Sequence, residues 1–381
     1  MNDSLIKLLS LIVMLTFCSV HHLQALTIYV SPTGSDDNDG QSPQHAIETL
    51  AKAKKMCLNS KDDSFEIFLQ GGVVHSNFDE PESESFYDNS RTNEFGFVWD
   101  IDKPLVLSTY GSDEKAIIYG SKYTKGKKEA TMPICVYRPS SEKVLIENLF
   151  IKMWQKGAIM VMESENVHIR NIKVDSIGTV YIPDDVLSPN GSDYPYVAGV
   201  IYPKNSSNIL IENIVMTNCH NIFPSSDALH GFYCTRLNNS EIRNVYMKNV
   251  SGSPLKFRRA AANNVYVHDI QCYYSGTTNT HGSDELDQPG FVRYSGDVNS
   301  GCPSNILIEN ATFWYPYCWS DKEDCYQASS QPCSMSNEAL CGGKNTCYED
   351  QERIKWVNVD FRYDWVSDDG SIPLPPMYET N

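Results

Sequence analysis

A short pattern of alternating apolar and polar residues occurs six times along the chain, and each copy contains an Asn or Asp near its end. Apolar residues alternate with polar ones, the Asn or Asp follows, and further apolar residues come after it. Alternation with a period of two, rich in β-branched residues, predicts β-strands. The copies are Val144–Leu149, Val167–Ile172, Ile209–Ile214, Glu241–Val245, Val265–Ile270 and Ile306–Ala311.

The spacing of these copies indicates what kind of repeat they form. Successive Asn or Asp positions lie 23, 42, 31, 25 and 41 residues apart, so the basic unit is short and longer segments are allowed between units. A helix of ten or more residues does not fit between the closest copies. Asn tolerates the left-handed backbone conformation of a sharp bend. Stacked units would pair about 4.8 Å apart around a narrow apolar core. The sequence therefore predicts an all-β solenoid, a single-stranded parallel β-helix.

The N-terminal segment predicts a cap for the open end of this solenoid. Thr27–Val30 has the composition of a strand, and an amphipathic stretch over His45–Cys57 predicts a short capping helix. Ser42 is a favourable N-cap and Pro43 a favourable first helical residue. Phe65–Gly72 then predicts the first full coil, which ends in Gly-Gly. The predicted apolar face of the helix consists of Ala46, Ile47, Leu50, Ala51 and Ala53.

Together, the repeats and the N-terminal segment resemble the right-handed parallel β-helix of the pectate-lyase-like superfamily. The resemblance covers residues 27–315. It implies a right-handed solenoid with a short N-terminal capping helix, on which outward side chains of stacked coils form a groove for an extended polymer. The motifs are specific for the architecture and do not identify a family or a reaction.

The chain divides into four predicted segments. Lys7, the apolar run Leu8–Phe17 and a small residue at Ala25 are typical of a secretory signal. We therefore expect a signal peptide over 1–25 and an extracellular protein. The β-helix would span 26–317, a Cys-rich loop 318–353, and the last strand with a C-terminal tail 354–381. The remaining sequence has no apolar run long enough for a membrane span, so no membrane association is expected.

The twelve cysteines fit an oxidising compartment. Five of them lie close together within 318–353 and predict a disulfide-stapled loop. A metal site is the alternative, but no Cys-x-x-Cys pair and no His occurs among them. Secretion would also allow glycosylation at Asn-x-Ser/Thr sequences. The clustered cysteines are Cys318, Cys325, Cys333, Cys341 and Cys347, and the acceptors are Asn190, Asn205, Asn238, Asn249 and Asn310.

The net charge of −17 argues against nucleic acid or an anionic membrane as a partner. A local cationic groove remains compatible with it, and we expect a monomer. Alternation along Leu255–Arg259 places Lys256 and Arg258 on the outer surface. One coil earlier Tyr233 points outward, and one coil later Arg293 does. The predicted site consists of His230, Tyr233, Lys256, Arg258, Arg259 and Arg293.

These residue types suit β-elimination of an acidic polysaccharide, the predicted substrate. The reaction needs a base to remove a proton next to a carboxylate, and positive charge to hold that carboxylate. We assign the base to Lys256 or His230 and carboxylate binding to Arg258. Tyr233, Arg259 and Arg293 are predicted to bind substrate. Lyases of the superfamily that the chain resembles often use Lys or Arg as base and Ca²⁺ or Arg as neutraliser. The Ca²⁺ ligands here would be Asp284, Glu285 and Asp287, although a solvated polar loop is the favoured explanation of these residues.

Three other functions stay open. A glycoside hydrolase needs paired carboxylates; Asp184-Asp185 and His230-Gly231 resemble the polygalacturonase pattern, whose other elements are absent in the matching order. A uronate epimerase would use an Asp, His and Tyr set, and Asp227, His230 and Tyr233 provide these types without the surrounding motif. The third function is a non-catalytic carbohydrate-binding or structural β-helix, in which Lys256 and Arg258 would simply be solvated.

Overall fold

The structure is a computed structural model. The predicted signal segment before residue 25, the Cys-rich loop and the C-terminal tail after residue 362 lie outside the described residues, as does Asn190. The structure describes residues 25–78, 82–83, 94–120, 132–140, 143–154, 156–178, 199–219, 229–250, 253–258, 263–273, 292–295, 304–314 and 354–362.

The described residues form one continuous, almost entirely parallel sheet that is wound into a right-handed β-helix. This confirms the predicted fold class. The strands are β1 (Ala25–Val30), β2 (Ser64–Gln70), β3 (Val74–His75), β4 (Glu82–Ser83), β5 (Glu94–Trp99), β6 (Leu105–Tyr110), β7 (Ala116–Tyr119), β8 (Met132–Tyr137), β9 (Val144–Glu147), β10 (Leu149–Lys152), β11 (Ile159–Met162), β12 (Val167–Asp175), β13 (Gly199–Ser207), β14 (Leu210–Cys219), β15 (His230–Val250), β16 (Leu255–Arg258), β17 (Asn263–Tyr273), β18 (Val292–Ser295), β19 (Ser304–Trp314) and β20 (Ile354–Arg362).

The coils have three faces. Face 1 consists of β5, β8, β11, β13, the start of β15, β16 and β18. Face 2 contains β1, β2, β6 and β9, the middle of β15, and the first parts of β12, β14, β17, β19 and β20. Face 3 contains β3, β7 and β10, the end of β15, and the second parts of the same long strands.

The core is a set of apolar columns that run along the helix axis. On face 2, residues of successive coils pair in register, so that the same inward position is apolar in each. Each fully buried aliphatic side chain contributes about 1.5–3 kcal/mol relative to exposure. The inward residues of this column are Ile169, Ile211, Ile242, Val267 and Ile308, each no more than 1 % exposed.

The corner between faces 2 and 3 is a single left-handed residue in every repeat that was predicted. The six Asn or Asp positions have φ between +49° and +59°. The conformation costs an ordinary L-residue about 1–2 kcal/mol, and the Asn side chains offset this cost by bonding along the stack. Asn244 Nδ2 donates to Asn213 Oδ1 at 2.5 Å, and Asn358 continues the series by donating to Asn310 at 2.7 Å. The predicted role of these residues as corner residues is confirmed.

The capping helix begins later than the sequence predicted. Ser42 caps only a 3-10 turn, Pro43–His45, and the α-helix α1 extends over Leu50–Asn59 with Thr49 as its N-cap. The intervening residues are extended because Ile47 pairs with the backbone of β1, donating to Tyr29 at 2.9 Å. Ala46 and Ile47 are therefore buried outside the helix, and the predicted start at His45 is wrong.

Five cysteines within the described ranges carry buried thiols rather than disulfides. Burial raises the pKa of Cys57 and of Cys219 to about 12, and that of Cys234 further. A thiol that stays protonated is a poor nucleophile, so these cysteines are packing residues. No helix of the described residues is both long and apolar enough to cross a bilayer.

Candidate active site on face 1

Strand register brings the predicted cationic and aromatic residues into line on face 1. Tyr233 of β15 pairs with Lys256 of β16, which pairs with Arg293 of β18. In the neighbouring column, Thr235 pairs with Arg258. The backbones of four of these residues thus occupy adjacent positions on three successive coils. Arg259 and the proposed Ca²⁺ ligands Asp284, Glu285 and Asp287 lie outside the described residues, as do Asp184, Asp185 and Asp227 of the rival schemes.

His230 and Lys256 are in direct contact. Lys256 Nζ lies 3.0 Å from His230 Nε2, and the backbone N–H of Ser253 donates to His230 Nδ1 at 3.1 Å. Because a backbone N–H only donates, Nδ1 is an acceptor, and a singly protonated ring carries its proton on Nε2. That proton faces the Lys256 nitrogen. The contact is then a hydrogen bond when the lysine is a neutral amine that offers its lone pair.

Burial and close packing hold the His230 ring in place. The side chain is 1 % exposed, whereas Lys256 is half-buried. Gly231 permits this packing, since a Cβ at that position would lie 2.6 Å from the carbonyl oxygen of Pro254. The same approach lets Gly231 N–H donate to Ser253 at 3.1 Å. His230 therefore lies beneath Lys256 and is not part of the open surface.

Aromatic rings stack along the same column. The Tyr233 ring lies 4.8 Å below Lys256 Nζ and 5.4 Å from the His230 ring. On the preceding coil, Tyr202 stacks on Tyr233 with 4.8 Å between centroids and an interplanar angle of 21°. An uncharged amine over an aromatic ring directs an N–H group at the ring face, which is a weak hydrogen bond. The column thus fixes the lysine in position and adds an aromatic surface beside it.

Thr235 has a buried hydroxyl without a hydrogen-bond partner among the described residues. The side chain is 4 % exposed, and Oγ1 is unsatisfied. In register it lies between Lys204 of the preceding coil and Arg258 of the following one. An unpaired buried hydroxyl costs about 1–3 kcal/mol, so Thr235 is a locally destabilising position in this column.

Sequence reasoning missed Tyr202 and Lys204. The signal was available, because Tyr202 precedes Asn213 by the same number of residues as Tyr233 precedes Asn244. Counting back from each Asn or Asp would have placed both tyrosines on one column of face 1. The predicted site covers only the coil of Lys256 and one coil on each side, and Tyr202 and Lys204 lie one coil further away.

Face 2 shows how the chain arranges charges that serve structure. Arg243 donates to Glu212 Oε2 at 2.6 and 2.8 Å and also binds Glu241, while His168 contacts Glu212 at 2.8 Å. Burial alone would raise the pKa of Glu212, but the hydrogen bonds and charges of Arg243 and His168 hold it below its usual value. Each cation of this ladder meets a carboxylate of a neighbouring coil, so the ladder is neutralised.

The described site offers Ca²⁺ a poor set of ligands. Ca²⁺ prefers six to eight oxygen atoms, whereas the groups around Lys256 are nitrogens, aromatic rings and one hydroxyl. No cluster of three or more His, Cys, Asp or Glu side chains in the described residues could hold a metal ion.

Comparisons with known proteins support the fold. No family model and no curated protein sequence matches the chain. Among solved structures, pectate lyase Pel9A is similar over 91 % of this chain and 80 % of its own, with a TM-score of 0.53 and 8 % identity. An alginate lyase from Paenibacillus sp. str. FPU-7 covers 70 % and 74 % (TM-score 0.45, 14 % identity), and a rhamnogalacturonan lyase covers 76 % and 68 % (TM-score 0.43, 12 % identity). The likeness to the pectate lyase shows a pectate-lyase-like parallel β-helix, as the sequence resemblance implies.

Proposed function

We propose that this protein is a secreted, monomeric lyase that cleaves a uronate-containing polysaccharide by β-elimination on face 1. The observation that carries the proposal is the contact of 3.0 Å between Lys256 Nζ and His230 Nε2. A lysine that accepts a hydrogen bond from a buried imidazole is a neutral amine, and a neutral amine is a base. The fold that the chain shares with a pectate lyase is compatible with this reaction.

The reaction proceeds in three linked changes. On substrate binding the neutral amine of Lys256 turns its lone pair away from His230 Nε2–H and takes the proton from the carbon next to the substrate carboxylate. The electron pair that is left forms a carbon–carbon double bond as the bond to the departing glycosidic oxygen breaks. Water protonates that oxygen, and Lys256 returns its proton to solvent. His230 is a positioning residue in this scheme, because its Nε2–H holds the lysine lone pair in place between turnovers.

Positive charge and aromatic surface complete the proposed site. We assign the substrate carboxylate to Arg258, since negative charge spreads into that group as the proton leaves. Tyr233, Arg259 and Arg293 are proposed to bind the neighbouring sugar units. The scheme requires no paired carboxylates, which distinguishes it from hydrolysis.

The test is incubation of the purified protein with pectate, alginate, hyaluronan and chondroitin. Elimination creates an unsaturated uronate, so an increase in ultraviolet absorbance with one of these polymers is expected, and Lys256→Met should abolish it. Lys143→Met, which changes an exposed lysine at another corner, is the matched control and should keep the activity. New reducing ends without the absorbance increase would indicate a hydrolase. Binding without turnover would indicate a binding protein, and either result would overturn the proposal.

A further inference from the structure

Face 3 carries lysines that are arranged unlike the cations of face 2. Lys173 of β12 places its Nζ 4.7 Å from the centroid of the Phe150 ring on the preceding coil. Lys152 lies 5.4 Å from the same ring and 5.9 Å from the ring of Tyr119. Within the described residues, neither ammonium group forms an ion pair with a carboxylate. An ammonium held by ring faces keeps its full charge and its N–H donors for another partner.

A third lysine extends this surface. Lys115 Nζ donates to Asn171 Oδ1 at 2.6 Å, at the corner next to Lys173. Burial lowers the pKa of Lys115, and the positive charge of Lys173 lowers it further. Two cations that repel each other without a carboxylate between them form a place where an anion would be stabilised.

The carboxylate that pairs in register with Lys152 already has other partners. Asp175 lies one coil after Lys152, but its oxygens accept hydrogen bonds from Thr217 at 2.6 Å, from Asn218 at 3.0 Å and from Ser176 at 2.8 Å. These bonds and the charge of Lys152 together outweigh burial and hold the pKa of Asp175 below its usual value. Asp175 is therefore tied to the next coil rather than closing onto the lysine.

The outward column of face 3 that contains Lys173 is otherwise apolar. Ile117, Phe150, Lys173 and Val215 pair in register on successive coils, and Val74, which pairs with Ile117, is 46 % exposed. Coils are about 4.8 Å apart, so the column is a long, narrow strip parallel to the axis. Its shape suits an extended polymer whose apolar sugar faces lie on the column and whose acidic groups reach the lysines.

We propose that this surface of face 3, made of Lys115, Lys152, Lys173 and Phe150, is a second, non-catalytic binding site for an acidic polysaccharide. The identity of the polymer rests on the proposed function of face 1. Charge complementarity favours this occupant. A duplex nucleic acid carries about one negative charge per 1.7 Å, and a second copy of this chain has a net charge of −17, so both would be repelled by this acidic protein more strongly than a polyuronate with one carboxylate per sugar. A polymer bound at face 3 would keep the enzyme on its substrate while face 1 acts on another chain.

The test compares two triple variants with equal change of charge. K115Q/K152Q/K173Q removes the proposed site, and K55Q/K61Q/K143Q removes three other lysines. Retention in gels that contain pectate or alginate is measured for both. We expect the first variant to bind about tenfold more weakly and the control to change by less than about twofold. Equal weakening of both variants, or no change in the first, would overturn the proposal.

Two further measurements separate this proposal from its alternatives. Elimination of short oligouronides should be unchanged in K115Q/K152Q/K173Q, because they do not reach from face 3 to face 1. If the wild-type protein eliminates nothing, retention still tests the second site independently of face 1. A change in sedimentation of the first variant without a change in retention would identify face 3 as a self-association surface and contradict the proposal. Lys173→Glu alone, at an exposed position, provides a second variant should the triple one fail to fold.

Discussion

Faces 1 and 2 use the same stacking of coils for opposite purposes. On face 2, Arg243 lies between two carboxylates and is fully matched by them. On face 1, one coil later, Lys256 meets the nitrogen of His230 and the ring of Tyr233. The strand geometry is identical, so the difference comes from the neighbours in register. A cation above an acid becomes part of a structural ladder, whereas in the proposed scheme a lysine above a neutral donor is held as an uncharged base.

The strongest test of this difference is a pair of substitutions. Lys256→Met should reduce kcat/KM by about 10²–10⁴-fold, because the base is lost, and should cost about 1–3 kcal/mol of unfolding free energy, because the buried His230 Nε2–H loses its lysine acceptor. Arg243→Met should cost about 1 kcal/mol of unfolding free energy, because two glutamates lose a shared partner, and should keep kcat/KM. Initial rates and urea unfolding measure both. If the two variants lose activity in equal proportion, the faces do not differ in function.

His230→Asn should have the next largest effect, a loss of up to about 100-fold in kcat/KM through misplacement of Lys256. The imidazole donates to the neutral amine and so favours that form. Its loss should move the acidic limb of the pH–rate profile to higher pH. His168→Asn removes a histidine that contacts Glu212 on face 2 and serves as the control. A profile that is lowered without being displaced would contradict the positioning role.

Glu212→Gln should change stability rather than activity. The pKa of Glu212 is depressed in the folded protein by Arg243 and His168, against the effect of burial. A carboxyl group whose pKa is lower in the folded protein than in the unfolded chain stabilises the fold at pH values above its unfolded pKa. This contribution is lost as the pH falls through its folded pKa. Wild-type stability should therefore fall as the pH drops below 4.5, the usual value for this group, and the variant should show a shallower fall. Parallel curves for the two proteins would show that the ladder does not contribute.

Thr235→Val should have the smallest effect. The substitution removes a buried hydroxyl that has no partner in the described residues, so stability should be unchanged or higher by up to about 1 kcal/mol, and KM should be unchanged. Thr217→Val is the control, because the Thr217 hydroxyl donates to Asp175 at 2.6 Å and its loss should destabilise the protein. Equal destabilisation of both variants would mean that Thr235 Oγ1 is satisfied in the folded protein.

The sequence was sufficient for the fold because its strongest signals are local. A period of two and an Asn that adopts positive φ are properties of a few adjacent residues, and they predicted the corners between faces 2 and 3 from Asn148 to Asn310. The start of α1 was mispredicted because Ser42 and Pro43 are good helix signals, while pairing of Ile47 with β1 is a tertiary contact that local propensity does not contain.

The candidate site was only partly predictable for the same reason. Alternation within strands indicated that Tyr233 and Lys256 would point outward, and stacking of successive coils in register would align them. The contact between His230 and Lys256 depends on how the backbone turns into β15 and on the close approach at Gly231. Neither is encoded in strand alternation, so the burial of His230 and its contact with the lysine required coordinates. The catalytic assignments themselves stay predictions.

The three corners differ in how much chain they can accept. From β9 onward a single residue suffices between faces 2 and 3, whereas the connection from face 3 back to face 1 ranges from 4 residues after β15 to 23 after β12. Additions and deletions at that corner leave the hydrogen-bonded frame intact and change only what borders face 1. The architecture thus separates a constant hydrogen-bonded scaffold from connecting segments that can differ in length. New substrate specificities could be introduced beside face 1 by changing these segments without redesigning the solenoid.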